Sequence, residues 1–139
     1  MSGEMVFDAC AIAKLLFREA GSQEARILAT QAEALITSDL AFLEVGNVAL
    51  KKLRRGDISK MDAAGVVGDC KVLMDQHVPA FDLAEDAMAL TLRAMVSIYD
   101  ASYVVLAMRL NAPLVTSDGS LVRALAGVPN APKIVLLPA

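Results

Sequence analysis

The chain has 139 residues, 56% of them hydrophobic and 21% charged, which excludes a disordered polymer and leaves enough length to bury a core without disulfides or a structural metal. Its apolar runs fall far short of the ~20 residues a membrane span needs, and no basic stretch leads into an apolar one at the N-terminus, so neither a membrane segment nor a secretory leader is expected. A single histidine, His77, excludes a histidine-rich zinc site, and a net charge of −3 argues mildly against a nucleic-acid binder of the generally basic kind.

In chain order, a first strand is expected at 5–7, followed by helices at 11–17 and 22–32. A second strand at 34–37 leads into a long helix at 39–55, apolar on one side and closed by a basic turn before Gly56, as helix C-termini prefer. The helix at 59–74 opens on Ser59 and Asp62 in capping-box spacing. A third strand at 78–81 precedes a helix at 84–95. Ser97 and Asp100 then repeat the capping-box spacing ahead of a helix at 99–110. A strand at 113–116, a helix at 119–125 and a strand at 133–136 complete the chain.

The strand candidates are short and almost continuously apolar, the pattern of strands buried on both faces of a parallel sheet. Their alternation with helices predicts βαβ units in one three-layer α/β/α domain spanning residues 1–139. In such sheets the ligand site lies beyond the C-terminal strand ends, at a switch in strand order. Cys10 and Cys70 have no metal-ligand spacing and read as reduced thiols, so a cytoplasmic protein is expected.

Four acids fall where that rule directs attention. Asp8 directly follows the first strand and Asp118 follows the fourth by two residues. Glu44 lies inside the long helix after the second strand, and Asp100 opens the helix before the fourth. Each has a bland explanation to overcome. An aspartate after a strand is ordinarily a turn or N-cap residue, and Asp100 holds the N3 position of a capping box, where a carboxylate is routine. Glu44 resists such an explanation. Its helical neighbours Leu40, Ala41, Asn47 and Val48 supply no cation, and Leu43 and Val45 beside it are apolar. Four converging carboxylates would suit magnesium or manganese, hard cations that take oxygen ligands. Such ions neutralise a phosphodiester and activate water without help from histidine or cysteine. The hydroxyls of Thr116, Ser117 or Ser120 could orient ligands or water around them.

The segments VFDACAIAKLL from Val6, LAFLEVGNVAL from Leu40, IYDASYVVLA from Ile98 and PLVTSDGSL from Pro113 resemble the PIN-domain ribonucleases, specifically the VapC-like toxins of toxin–antitoxin pairs. The resemblance runs through nearly the whole chain in the family's order. It implies a divalent-metal-dependent endoribonuclease with a parallel sheet of four or five strands. Asp8, Glu44, Asp100 and Asp118 would be its catalytic and metal-holding acids, and Thr116 a hydroxyl position beside the last. It also implies RNA as substrate, a homodimer and a small antitoxin as partner. Cys10 departs from the pattern, which often has Ser or Thr there. A thiol is a weaker hydrogen-bond partner than a hydroxyl.

Lys51, Lys52, Arg54 and Arg55 end the long helix, and Lys14 and Arg18 follow Asp8. Helix C-termini favour such charge without any function, while RNA phosphates would give Lys14, Lys51, Lys52, Arg54 and Arg55 a further use. Arg109 and Arg123 are weaker candidates, and His77 is expected to have no catalytic role. Two other functions are consistent with an acidic pocket on such a sheet. One is a catalytically idle, metal-binding regulatory module. The other is a receiver-like phospho-switch, against which Asp8 stands without a second acid and Lys133 begins rather than follows the last strand.

Overall fold

The computed structural model describes residues 3–139, so the first two residues of the expected domain lie outside it. The strands are β1 (Glu4–Phe7), β2 (Ala34–Ser38), β3 (Gln76–Val78), β4 (Leu114–Thr116) and β5 (Ile134–Leu136). They form one sheet in the order β3-β2-β1-β4-β5, and every pairing is parallel. Val6, Phe7, Ile36, Leu114 and Val115 on the three central strands are wholly buried. These are the residues whose unbroken apolar pattern marks strands covered on both faces.

The helices are α1 (Ala9–Leu16), α2 (Ser22–Gln31), α3 (Leu40–Arg54), α4 (Lys60–Leu73), α5 (Ala80–Thr91), α6 (Ile98–Leu110) and α7 (Gly119–Ala124). α1 packs on α2, α3 and α4, while α5 pairs with α6, which lies against β1, β2 and β4. The core joins Ile12 and Val45 from the first group to Leu83, Val104 and Leu106 from the second. Many of its members are alanines, such as Ala11, Ala41, Ala87, Ala101 and Ala107. Small side chains let the helices approach the sheet closely. Among the described residues, no helix is long and apolar enough to cross a membrane.

The largest departures from expectation are at the third strand, at the helix after it, which spans Ala80–Thr91 rather than 84–95, and at the start of the first helix. The third strand lies at Gln76–Val78 rather than 78–81, because Pro79 ends it. Proline lacks an N–H for the ladder, and its fixed φ suits the entry to a helix, so Ala80 and Phe81 open α5. β3 is an edge strand with a single partner, β2, which makes polar Gln76 and His77 tolerable there. His77 meets the ring of Phe42 edge-on at 5.4 Å, an ordinary packing contact. The first helix begins at Ala9 rather than 11, capped by the Asp8 side chain.

Topology decides where the site lies. The chain winds outward from β1 to β3, then returns across the sheet to lay β4 on the other side of β1. The reversal therefore falls between β1 and β4, the place where parallel sheets open a crevice at their C-terminal ends. The order also excludes the receiver-like alternative, whose sheet runs 2-1-3-4-5.

Candidate metal centre

Asp8 leaves β1 at this reversal and caps α1. Its Oδ1 accepts the Ala11 N–H at 3.0 Å and the Cys10 thiol at 3.0 Å. It is 6% exposed. Burial raises its pKa from 3.8 to about 6, against the hydrogen bonds of Cys10, Thr116 and Ala11, and the charge of Asp100 adds to the rise. Burial, and then the charge of Asp8, push the Cys10 thiol up to about 11, so at neutral pH it keeps its proton and donates. Its sulfur also lies 3.5 Å from the Thr116 hydroxyl and accepts the Ser117 N–H at 3.4 Å. Cys10 thus ties the end of β1 to the end of β4.

Asp118 caps the short helix α7. Its Oδ1 accepts the Ser120 N–H at 2.9 Å and the Ser120 hydroxyl at 2.6 Å, while its own N–H donates to Thr116 Oγ1 at 3.2 Å. Asp100 stands in the first turn of α6, and its N–H donates to Ser97 Oγ at 3.0 Å. Burial and then the charge of Asp118 raise the Asp100 pKa, with Ser97 opposing. Glu44 reaches in from α3 and accepts the Tyr103 hydroxyl at 2.5 Å. Burial raises its pKa, Tyr103 lowers it, and Asp100 adds a further rise.

Asp8, Ala9, Cys10, Glu44, Asp100, Tyr103, Ser117 and Asp118 line one cleft of about 290 Å³. The four acids expected from the sequence are therefore brought together from four separate segments. Among the described residues, none of them forms an ion pair; the four ion pairs present lie at Lys14–Glu19, Lys52–Glu19, Arg55–Asp57 and Arg109–Asp86. Burial is the main cause of the raised pKa values of Asp8, Glu44 and Asp100, and repulsion between like charges in the partly dry cleft adds to it.

The donor set suits a hard cation, since all four acids offer oxygen and the single sulfur carries a proton. No three acidic, histidine or cysteine side chains among the described residues stand close enough to grip one bare ion. Magnesium keeps several of its waters and needs only one or two carboxylates directly, so the acids fit a hydrated ion that the others hold through water.

The basic residues divide. Lys14, expected near RNA, is 3% exposed; its amine meets Glu19 at 3.2 Å and the Ala20 carbonyl at 2.5 Å. Lys52 pairs with the other oxygen of Glu19 at 3.3 Å and stands over the Phe17 ring. Both are internal clamps on the turn between α1 and α2, which corrects the surface role expected for Lys14. That turn depends on Gly21, at φ +86°, where a Cβ would collide with the Pro138 carbonyl and the Lys14 side chain. Lys51, Arg54 and Arg55 are exposed, and Arg55 pairs with Asp57 at 3.3 Å. Lys51 and Arg55 follow Glu44 by two and three helical turns and so share its face of α3.

Tyr103 is the cleft residue that sequence reasoning passed over. It lies three residues after Asp100 on α6, a spacing that places both on one helix face and was visible in IYDASYVVLA.

A family model for the PIN domain matches residues 5–126. The chain belongs to the PIN-domain family. This PIN domain is 36% identical over 120 residues to Ribonuclease VapC3 of Pyrobaculum aerophilum, an alignment covering 85% of the chain and 92% of that protein. A crystal structure of a Pyrobaculum aerophilum protein superposes with a TM-score of 0.68 at 23% identity, covering 89% of this chain and 86% of that one. VapC20 of Mycobacterium tuberculosis, described as a sarcin–ricin loop cleaving toxin, superposes with a TM-score of 0.66 at 20% identity over 92% and 99% of the two chains. At these identities the structures establish that the PIN domain shares their fold.

Proposed function

We propose that this PIN domain is a magnesium- or manganese-dependent endoribonuclease, the toxin of a toxin–antitoxin pair, with Asp8, Glu44, Asp100 and Asp118 as its metal-holding and catalytic acids. One observation carries the reading: four carboxylates line a single cleft at the strand-order reversal, and no cationic side chain pairs with any of them among the described residues. The ribonuclease named among its relatives supports the substrate class.

When bound, the ion would neutralise the phosphodiester and lower the pKa of an attacking water. The protein's own part is placement. The Ala11 N–H and the Cys10 thiol hold Asp8 Oδ1, the Ser120 N–H and hydroxyl hold Asp118 Oδ1, and the Tyr103 hydroxyl holds Glu44 Oε1. Thr116 and Ser117 join the two strand ends through Cys10. Lys51, Arg54 and Arg55 offer phosphate contacts along α3, with Lys51 and Arg55 on the Glu44 side of it.

The PIN domain acts in the cytoplasm and as a homodimer. Phe81, Met88, Leu92 and Met95, all exposed, run along α5 and the turn beyond it, an apolar surface suited to a second copy. A basic side chain of the antitoxin fills the acidic cleft in the inhibited complex.

Purified protein is expected to cut structured RNA with either ion and to stop on addition of EDTA. Asp8→Asn should lower cleavage about 10²–10³-fold, the scale of losing one charge-stabilising group in an active site. Undiminished cleavage in EDTA would overturn the reading. Light scattering should give twice the chain mass, and a monomer would remove the homodimer from it.

A further inference from the structure

We propose that Tyr103 is a positioning residue for the metal centre: by donating its hydroxyl to Glu44 Oε1 it fixes the orientation of the Glu44 carboxylate in the acidic cleft. This inference rests on the metal reading above and adds to it a residue outside the four acids.

The geometry begins with where each partner stands. Tyr103 is 2% exposed and its ring is packed in the core, so the hydroxyl cannot turn to solvent. The hydroxyl donates to Glu44, 59 residues away in sequence, at 2.5 Å. That is the short end of the range for a hydroxyl on a carboxylate, where the charge strengthens the bond. Glu44 is only half-buried and belongs to a long side chain with several rotatable bonds, so without a fixed donor it would sample several rotamers.

Each of the other acids described as capping a helix is already anchored close to home. Asp8 takes the Ala11 N–H and Asp118 takes the Ser120 N–H, both within three residues. Glu44 stands one turn into α3 and caps no helix end, and its holder comes from another element. Tyr103 supplies it from α6, the helix that also carries Asp100. One rigid helix therefore contributes one acid and orients a second, which couples their separation. A side chain that orients a ligand in this way typically changes metal affinity 10–100-fold when removed.

A buried tyrosine hydroxyl also needs a partner for purely structural reasons, and the two roles separate in a double-mutant cycle. Manganese binding to the RNA-free protein is measured from the loss of the free-ion electron paramagnetic resonance signal. The variants are Tyr103→Phe, Glu44→Gln and the double variant, with a thermal melt in EDTA on each. Tyr103→Phe keeps the ring and is expected to bind manganese 10–100-fold more weakly than the wild type. In the Glu44→Gln background the same change should alter the Kd by less than about twofold, because the group it positions is already lost. A Tyr103→Phe protein that melts lower but binds manganese like the wild type would overturn the inference and leave the metal reading intact. An equal loss in both backgrounds would also overturn it, since Tyr103 would then act through something other than Glu44. A wild type that takes up no manganese would overturn the metal reading itself and the inference with it.

Discussion

Ser59 and Asp62 open α4 with the same spacing with which Ser97 and Asp100 open α6. In both, the serine hydroxyl accepts the N–H of the aspartate, at 3.1 and 3.0 Å. They part at the carboxylate. Asp62 turns back and accepts the Ser59 N–H at 3.4 Å, closing a capping box. Asp100 does not accept the Ser97 N–H; its carboxylate lines the cleft beside the other acids, where the Ser97 hydroxyl still favours its charged form. The end of α4 is exposed, so Asp62 has nothing better to face than its own helix. The end of α6 lies at the strand-order reversal, where the Asp118 charge and burial both raise the Asp100 pKa. The same four-residue signal thus serves a helix in one place and a site in the other, and tertiary position makes the choice.

The largest expected break between the two is in cleavage. Asp100→Asn should lower RNA hydrolysis about 10²–10³-fold, while Asp62→Asn leaves it unchanged. Equal activity in the two variants would place Asp100 with the capping residues.

Asp8 extends the contrast to a deeper cap. Its raised pKa means that the protonated form is favoured by folding. The associated stability is fully present below about pH 4 and is lost as pH rises through about 6. In EDTA the wild type should therefore fall behind Asp8→Asn across that window, by about 3 kcal/mol at pH 7. Paired urea titrations at several pH values measure the gap, and a gap constant from pH 4 to 7 would contradict the assignment.

The serines provide the smaller, shared effect. Ser59→Ala and Ser97→Ala should each cost about 1 kcal/mol in thermal or urea unfolding, because both lose the same N-cap bond. Unequal losses, with Ser97→Ala the costlier by several kcal/mol, would mean that the α6 serine supports more than a helix end.

Much of this was visible in the residues, for reasons that can be named. β1, β2 and β4 are covered on both faces, so Val6–Phe7, Leu35–Ile36 and Leu114–Val115 form unbroken apolar pairs. β3 pairs on one side only, and its polar Gln76 and His77 hid it, while apolar Ala80 and Phe81 invited a strand that Pro79 forbids. The acids stood out because Asp8 and Asp118 end strands and Glu44 lacks a helical counter-ion. Tyr103 escaped because its partner is 59 residues away, although its spacing from Asp100 was a usable hint. The inward turn of Lys14 depends on Glu19 and on the left-handed Gly21, neither of which marks a lysine as buried when read along the chain.

The central claim is that the carboxylate at α6 belongs to a cation site and the one at α4 does not. Thermal melts of the wild type, Asp62→Asn and Asp100→Asn, in EDTA and in manganese, test it most directly. In EDTA, Asp100→Asn should melt above the wild type, because one repelling charge is gone, and Asp62→Asn slightly below it, by about 0.3–1 kcal/mol for the lost charge at a helix N-terminus. Manganese at a hundredfold excess over its Kd should then stabilise the wild type and Asp62→Asn alike by about 2.7 kcal/mol, and Asp100→Asn by far less. A destabilised Asp100→Asn that gains as much from manganese as the wild type would contradict the account.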